Sequence, residues 1–312
     1  MISPTDTCLL CGNKTEIVLS NIFDTRFGIK DYYNVAQCKS CGLEQLLPKP
    51  ENGELVKLYK EHYNFIDSEN KTYNSLRQKF LSSVFFDIWS KIDGDITFQS
   101  VKGKGRLLDV GCNEGRGLEI YQKNGFYVEG LEINPVAATI AQRKGFNVYE
   151  KSLENIKPSV PYNVVVLTNV LEHSLAPNVM IRSAKELLAF GGQIWISCPN
   201  NKSWNRKLFG KYWINWHPPF HISHFSEESL TKLLIENGFV ICTVKNETPS
   251  LWVAQSIVSC LFSSPGKITK QLRYSMLVGG MMLFVRLVLF PILWLGNLVK
   301  RGDCLVVIAK KG

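Results

Sequence analysis

Three groups of residues have types and spacings that can do chemistry. The first is Cys8-x2-Cys11 and Cys38-x2-Cys41, two pairs separated by 26 residues, each followed by glycine (Gly12, Gly42). A Cys-x-x-Cys turn presents two thiolates to one ion, and two such turns complete a tetrahedral thiolate shell, the donor set of structural Zn2+. That shell is closed, with no position for water or substrate. A redox pair would instead need one Cys-x-x-Cys on a thioredoxin-like unit, and no such unit is recognisable. The second group is Asp109-Val110-Gly111-Cys112-Asn113-Glu114-Gly115, followed by Glu132 23 residues after Asp109. Its order, Gly111-x-x-x-Gly115-x-Gly117, is not the G-x-G-x-x-G that cradles a pyrophosphate. A carboxylate two residues before the first glycine would repel a pyrophosphate and suits a cofactor carrying ammonium and sulfonium charge. Glu132 can accept hydrogen bonds from both hydroxyls of a ribose. The third group is His173, His217, His221 and His224, candidate bases. His221 has either an acid/base or acceptor-contact role, or a structural one ahead of the helix cap at Ser226. Trp213, Trp216 and Phe220 are expected to form a lid or acceptor wall.

The elements that must position these residues follow from the pattern of apolar runs and breakers. From 105 to 248, short β-branched or apolar runs alternate with helical patterns, the βαβ rhythm of a parallel sheet. Strands are expected at 106–110, 127–132, 147–149, 163–168, 193–197, 239–246 and 304–310. Helices are expected at 118–124, from Pro135, at 177–190 stopped by Gly191-Gly192, and at 227–237 behind Ser226. An amphipathic helix is expected at 74–92. The chain thus divides into a cysteine-rich module (1–50), a helical linker (51–100), a cofactor domain (101–248 with 303–312) and an apolar basic insert (249–302).

Several of these motifs together resemble one family. Leu107-Leu108-Asp109-Val110-Gly111-Cys112-Asn113-Glu114-Gly115 is similar to the first motif of class I S-adenosylmethionine-dependent methyltransferases, and Gly130-Leu131-Glu132-Ile133-Asn134-Pro135 to their second-strand motif. Val170-Leu171-Glu172-His173, Leu187-Leu188-Ala189-Phe190-Gly191-Gly192 and Ser197-Cys198-Pro199-Asn200 resemble the fourth- and fifth-strand motifs. His221-x-x-His224-Phe225-Ser226 resembles a bacterial branch. The four-cysteine layout, with Pro48-x-Pro50 and Tyr59-x3-Tyr63, resembles methyltransferases of sugar and antibiotic pathways that carry an N-terminal zinc ribbon. The fold implied is α/β, a seven-stranded Rossmann-like methyltransferase sheet with an N-terminal zinc ribbon and a hydrophobic helical insert before the last strand. The resemblance implies S-adenosylmethionine as cofactor. Asp109, Gly111, Cys112, Asn113 and Gly115 would sit around its methionine end, Glu132 at the ribose and Ile133 against the adenine. Ser152 or Leu153 would stand near the adenine amino edge, although Glu150-Lys151-Ser152-Leu153-Glu154 lacks the usual acid there. Asn169 would line the methyl-transfer cleft, with His221 and His173 as catalytic candidates. Glu172-His173 resembles quinone O-methyltransferases that bind a divalent metal through two glutamates and a histidine, but Asn169 replaces the first glutamate.

Composition sets the wider frame. The 312 residues are 45% apolar and 20% charged, which excludes a disordered, collagen-like or polytopic membrane protein. Nine cysteines without a recognisable secretory signal fit thiols and metal ligands in a reducing compartment, and the five outside the pairs read as core. From Thr248 to Gly312 eight basic residues face one acid, Asp303, accounting for +7 of the net +9. The same stretch holds the apolar segment 276–299, broken by Arg286 alone among charged residues. Basic flanks beside an apolar run point to an anionic membrane surface, and few basic residues lie between Cys8 and Cys41 to bind nucleic acid. If 239–246 and 304–310 are neighbours in one sheet, the insert must leave and return on one side. A monotopic or re-entrant insert is then expected, against a dimer surface or a lid packed on the core. The expected protein is a cytoplasmic methyltransferase, peripheral or monotopic on the inner face of the membrane, acting on a hydroxyl of a small-molecule or lipid-linked acceptor. Alternatives are an RNA or protein methyltransferase docking through the ribbon, or a non-catalytic cofactor-binding scaffold. The oligomeric state is left open.

Overall fold

The computed structural model describes residues 7–62, 88–89 and 92–312. The helix expected at 74–92 therefore lies almost wholly outside the described residues. The chain opens with β1 (Thr15–Phe23), β2 (Tyr32–Cys38) and β3 (Glu44–Leu47), followed by helix α1 (Asn52–His62). The antiparallel order is β1-β2-β3-β9, and β9 (Ser223–His224) comes from far down the chain. The cysteine module is thus completed by a strand of the histidine segment. Ile22, Tyr33, Val35 and Leu46 from this sheet bury Trp213 and Trp216 beneath it. Burying one large apolar side chain contributes roughly 1.5–3 kcal/mol, so the two tryptophans anchor the sheet to the rest of the molecule.

The second sheet has seven strands: β4 (Arg106–Val110), β5 (Tyr127–Leu131), β6 (Asn147–Tyr149), β7 (Tyr162–Thr168), β8 (Leu188–Pro199), β10 (Phe239–Glu247) and β11 (Cys304–Lys311). Their order is β10-β11-β8-β7-β4-β5-β6, with β11 antiparallel to both neighbours and β4 to β8 parallel. All seven expected strands are present. The central strands are covered on both faces, as parallel sheets require. Val165, Leu167, Ile194 and Ile196 face one core cluster, while Val164, Val166 and Trp195 face another.

The crossover helices are α2 (Arg116–Lys123), α3 (Pro135–Arg143), α4 (Pro177–Leu187) and, after the short α5 (Trp204–Phe209), α6 (Glu227–Glu236). Asn134 caps α3 by accepting from the Val136 and Ala137 amides, with Pro135 in the first turn. Ser226 caps α6 in a reciprocal capping box with Ser229. One boundary differs from expectation. Helix α4 ends at Leu187, and Gly191-Gly192 lie inside β8 instead of ending the helix. A Cβ at Gly192 would meet the Ala189, Asn163 and Tyr162 carbonyl oxygens at 3.0–3.1 Å, so glycine there serves strand contact.

The insert leaves β10 and returns to β11 beside it, since Glu247 pairs with Cys304. It comprises α7 (Ser250–Phe262), α8 (Ser275–Val288) and α9 (Phe290–Leu298). The apolar segment is not one rod. Pro291 in the first turn of α9 accompanies a 71° bend between α8 and α9, and no single helix among the described residues is long and apolar enough to cross a membrane. Arg286, the one charged residue within 276–299, is turned inward. Its Nε donates to Asp93 Oδ1 at 3.0 Å, its guanidinium pairs with the same carboxylate, and it also reaches the Thr248 carbonyl at 3.2 Å.

Candidate active site

The carboxyl ends of β4 and β5 build one half of the site. The chain turns out of β4 through Gly111 (φ 72°), Asn113 (φ 50°) and Gly115 (φ 77°), left-handed positions that glycine and asparagine tolerate. These glycines are also sterically required. A Cβ at Gly111 would lie 2.8 Å from Val170 Cγ2, and one at Gly117 would lie 2.7 Å from Asp109 Oδ2. Glu132 accepts from the Asn113 amide at 2.9 Å through Oε2 and from the Asn134 amide at 2.7 Å through Oε1, so the second strand locks the glycine loop. Asp109 is buried beside it. Burial first, and then the Glu132 charge, push the Asp109 carboxyl up to about 7, and burial also raises Glu132. No lysine or arginine among the described residues pairs with either carboxylate. Two adjoining buried carboxyl groups without a cation partner fit a positively charged ligand, which favours their ionised form, and disfavour a pyrophosphate. Ile133, next to Glu132, is 57% exposed and offers an apolar face.

The remaining cofactor candidates divide by side-chain direction. The Cys112 side chain packs with Leu118 and Ala138 in the core, leaving only its backbone at the loop. The Leu153 side chain is likewise core, leaving only its backbone for an adenine contact, whereas Ser152 is exposed and accepts from Asn155 Nδ2 at 2.8 Å. Asn169 leaves β7 with φ 52°, its amide donating to the Ser197 carbonyl at 2.9 Å while its buried Oδ1 has no hydrogen-bond partner. Depressions of 640 and 490 Å3 around Gly125 and Tyr127 lie at the opposite, amino-terminal edge of β4 and β5. Ligands of open α/β sheets bind at the carboxyl edge, so these are not the cleft.

The other half lies beyond β7. The turn Leu171–His173 is bonded to the histidine segment, whose Ile222 amide donates to the Glu172 carbonyl at 2.8 Å. The His173 and His221 rings meet edge to face at 4.6 Å, and His217 meets His221 at 5.0 Å. The N-terminal module reaches in here: Tyr59 on α1 bonds His173 Nδ1 at 2.8 Å, and Phe27 packs on Phe220 at 5.6 Å. Sequence reasoning missed Phe27 as a member of this group and quoted Tyr59 and Glu172 only within family motifs. All four histidines are held neutral. Burial lowers His173 to about 4 and His224 to about 3, and drives His217 and His221 well below the usual imidazole range, with Arg26 and neighbouring histidines adding to the effect. His221 Nδ1 lies 2.8 Å from the Asn215 carbonyl, which can only accept, so Nδ1 carries the proton and Nε2 the lone pair. Trp213 and Trp216 are core rather than lid, with Trp213 Nε1 donating to Asp303 Oδ1 at 3.0 Å.

Two groups could be weighed as metal ligands. Sγ atoms of Cys8, Cys11, Cys38 and Cys41 lie within 4.8 Å of one another, with Cys8–Cys41 at 3.4 Å and Cys11–Cys38 at 3.5 Å. Those separations exceed a disulfide's roughly 2.05 Å and suit thiolates sharing one ion at about 2.3 Å. Gly12 (φ 70°) and Gly42 (φ 74°) close the two turns. The Glu172, His173 and His221 ligand atoms also lie within 4.8 Å of one another. There the fit fails, because the His173 ring is engaged by Tyr59 and by the Phe220 carbonyl. Two donors remain, fewer than the three protein ligands usual for a catalytic zinc centre.

A methyltransferase-domain family model matches residues 81–244, just over half of the chain. The chain belongs to that family. Strand order and family together make it a class I S-adenosylmethionine-dependent methyltransferase in fold. The methyltransferase is 30% identical over 119 residues to the ubiquinone biosynthesis O-methyltransferases of Citrobacter koseri and Escherichia fergusonii, an alignment covering 35% of this chain. It spans about half the length of these curated relatives, 49% and 50%. Among solved structures it is similar to a SAM-dependent methyltransferase of Thermotoga maritima (TM-score 0.49, 14% identity, 83% of this chain and 100% of that one). A second is the Burkholderia thailandensis 1,6-didemethyltoxoflavin N1-methyltransferase solved with S-adenosylhomocysteine (TM-score 0.46, 14% identity, 89% and 95% covered).

Proposed function

We propose that the protein transfers a methyl group from S-adenosylmethionine to a hydroxyl of a small-molecule or lipid-linked acceptor at an anionic membrane surface. The observation that carries the donor half is the buried Asp109–Glu132 pair, which has no cation partner among the described residues at the carboxyl edge of β4 and β5. When bound, the cofactor supplies an electrophilic methyl on a sulfonium. Asp109 and the Gly111–Gly115 loop would hold its amino-acid end, Glu132 the ribose hydroxyls and Ile133 the adenine. Asn169, with its unpartnered Oδ1, lines the cleft toward the acceptor. His221 takes the acceptor proton through Nε2, while His173, tied to Tyr59 and Phe220, orients it. Positioning accounts for most of the catalysis in such a displacement, and proton removal adds a smaller factor.

The finer parts of the reading have their own support. The four thiolates fit a structural Zn2+ that fastens the N-terminal turns. On the insert, Met276, Leu283, Leu287, Ile292, Trp294 and Leu298 are between 51% and 89% exposed. Lys267, Lys270 and Arg273 flank this surface and the insert carries no acid, while Lys300 pairs with Glu227 outside it. Exposed apolar area of this extent with cationic flanks suits an anionic bilayer, which supports a location on the cytoplasmic face. The test is incubation of the full chain and methyl-labelled cofactor with a membrane-lipid extract and, separately, with a soluble extract. Label in the lipid fraction is expected. Label in the soluble fraction alone would contradict the acceptor class.

A further inference from the structure

Glu172 has no task in the reading above. Its side chain is wholly buried, yet neither carboxyl oxygen has a hydrogen-bond partner. An unsatisfied buried polar group is costly, so a fold that keeps one needs a reason. The turn Leu171–His173 holds it in place through the Ile222 amide bond to its own carbonyl. A carboxyl oxygen of Glu172 lies within 4.8 Å of a ring nitrogen of His221, the residue whose Nε2 lone pair is left free by the Asn215 carbonyl. The two groups are not hydrogen-bonded to each other, and at this separation a single hydroxyl can contact both.

We propose that Glu172 and His221 act as one proton acceptor for the acceptor hydroxyl. The inference rests on the hydroxyl-methylation reading and adds to it the residue that balances charge. As the acceptor oxygen gains the methyl group and the sulfonium becomes a neutral thioether, the O–H bond breaks and its proton passes to His221 Nε2. The Glu172 carboxylate keeps the resulting imidazolium from being an isolated buried cation. One positive charge leaves the donor, and one proton neutralises the carboxylate–imidazole pair. Facing the pair are His173, His217 and His224, held neutral by burial, together with Arg26, Cys198 and Cys304. Burial pushes both thiols well up, so they stay uncharged. A neutral histidine among neutral histidines is a weak base; the Asn215 carbonyl strengthens it, and an ionised carboxylate beside it would strengthen it further. Burial raises the Glu172 carboxyl to about 8. The competent form, carboxylate with neutral imidazole, therefore accumulates as pH rises through that value.

The decisive experiment uses the full chain with 15N-labelled histidine and 13C-labelled glutamate, followed by NMR from pH 6 to 9.5. The Glu172 carboxyl carbon and the His221 ring nitrogens are expected to move together in one step near pH 8. In Glu172→Gln the His221 signals should stay fixed across the range, with the thermal unfolding transition reporting that the variant is folded. With methyl transfer to the lipid extract as the second readout, the wild-type rate should fall tenfold per pH unit below about 8. Glu172→Gln should lose that limb and about 30-fold or more in kcat, with the acceptor KM changed by less than about threefold. Glu172→Asp should recover part of the rate. Independent titration of the two residues, or a Glu172→Gln variant that keeps both limb and rate, would overturn the proposal. So would loss of wild-type activity to a chelator with recovery on adding magnesium, which would make the two residues metal ligands. If no extract accepts a methyl group, the functional reading fails, and the NMR result alone decides whether the pair holds one proton.

Discussion

The two halves of the cleft are built on different principles. Over β4 and β5, the donor half comes from one continuous stretch: a strand, a glycine turn and a second strand whose Glu132 reaches back to the Asn113 amide 19 residues away. Over β7, the acceptor half is assembled from pieces that meet only in the folded chain. Tyr59 reaches His173 across 114 residues, and β3 pairs with β9 to bring the N-terminal sheet against the histidine segment. A local half can hold a fixed cofactor in many chains, whereas a composite half can change its acceptor through any of several segments. The difference ties the cysteine module to the histidine-bearing half, because its sheet is completed by β9.

That comparison can be broken most severely at the thiolates. Cys38→Ser should cost several kcal/mol, given that structural zinc contributes folding free energy directly. Because β9 lies in the same sheet, the loss should extend to the histidine segment. Hydrogen exchange should show raised rates at 217–225 with 106–132 unchanged, and a protein protected equally throughout would separate the module from the acceptor half. Next is the insert anchor. Asp93→Ala strands Arg286 in the interior, and removing one partner of a buried ion pair costs about 3–5 kcal/mol. Chemical denaturation should show that loss, and Asp93→Ala with Arg286→Met should recover part of it. An unchanged midpoint in the single variant would mean that the insert is not fastened there.

The donor half should respond separately. Asp109→Asn should weaken cofactor binding by about 2–3 kcal/mol, the worth of a charge-assisted contact, without lowering the unfolding temperature. The sign of the last effect follows from ionisation. Asp109 is raised to about 7 in the folded protein, so its contribution to folding is present at low pH and lost as pH rises through 7. A cationic ligand prefers the ionised form. Affinity should therefore rise by up to tenfold per pH unit below 7 and level off above it, and cofactor should raise the unfolding temperature more at pH 8 than at pH 6. A flat profile would remove Asp109 from the binding group.

The same contrast explains what could be read from the residues in order. The sheet was legible because β-branched runs, the Asn134-Pro135 and Ser226 caps and the glycine breakers act within a few residues. The end of α4 was misplaced because Gly191 and Gly192 look like a stop, while the contact that requires Gly192 comes from Asn163 and Tyr162 on β7. Asp109, the glycines and Glu132 carried their own spacing. Leu153 did not reveal that its side chain faces the core, and nothing local showed that Arg286 is buried, because its partner Asp93 is 193 residues away. Glu172 and Tyr59 were visible only as parts of family motifs, since the contact of Tyr59 with His173 and the burial of Glu172 arise from tertiary structure. Asn169, His173 and the histidine spacing at His221 and His224 marked that region in advance.

The central claim is that a buried pair of carboxylates selects a positively charged methyl donor, and titration calorimetry at pH 8 addresses it most directly. The full chain should bind S-adenosylmethionine, and Asp109→Asn and Glu132→Gln should each weaken that binding while the proteins remain folded. Absence of heat with S-adenosylmethionine and with S-adenosylhomocysteine, alongside clear heat with a nicotinamide dinucleotide, would contradict it.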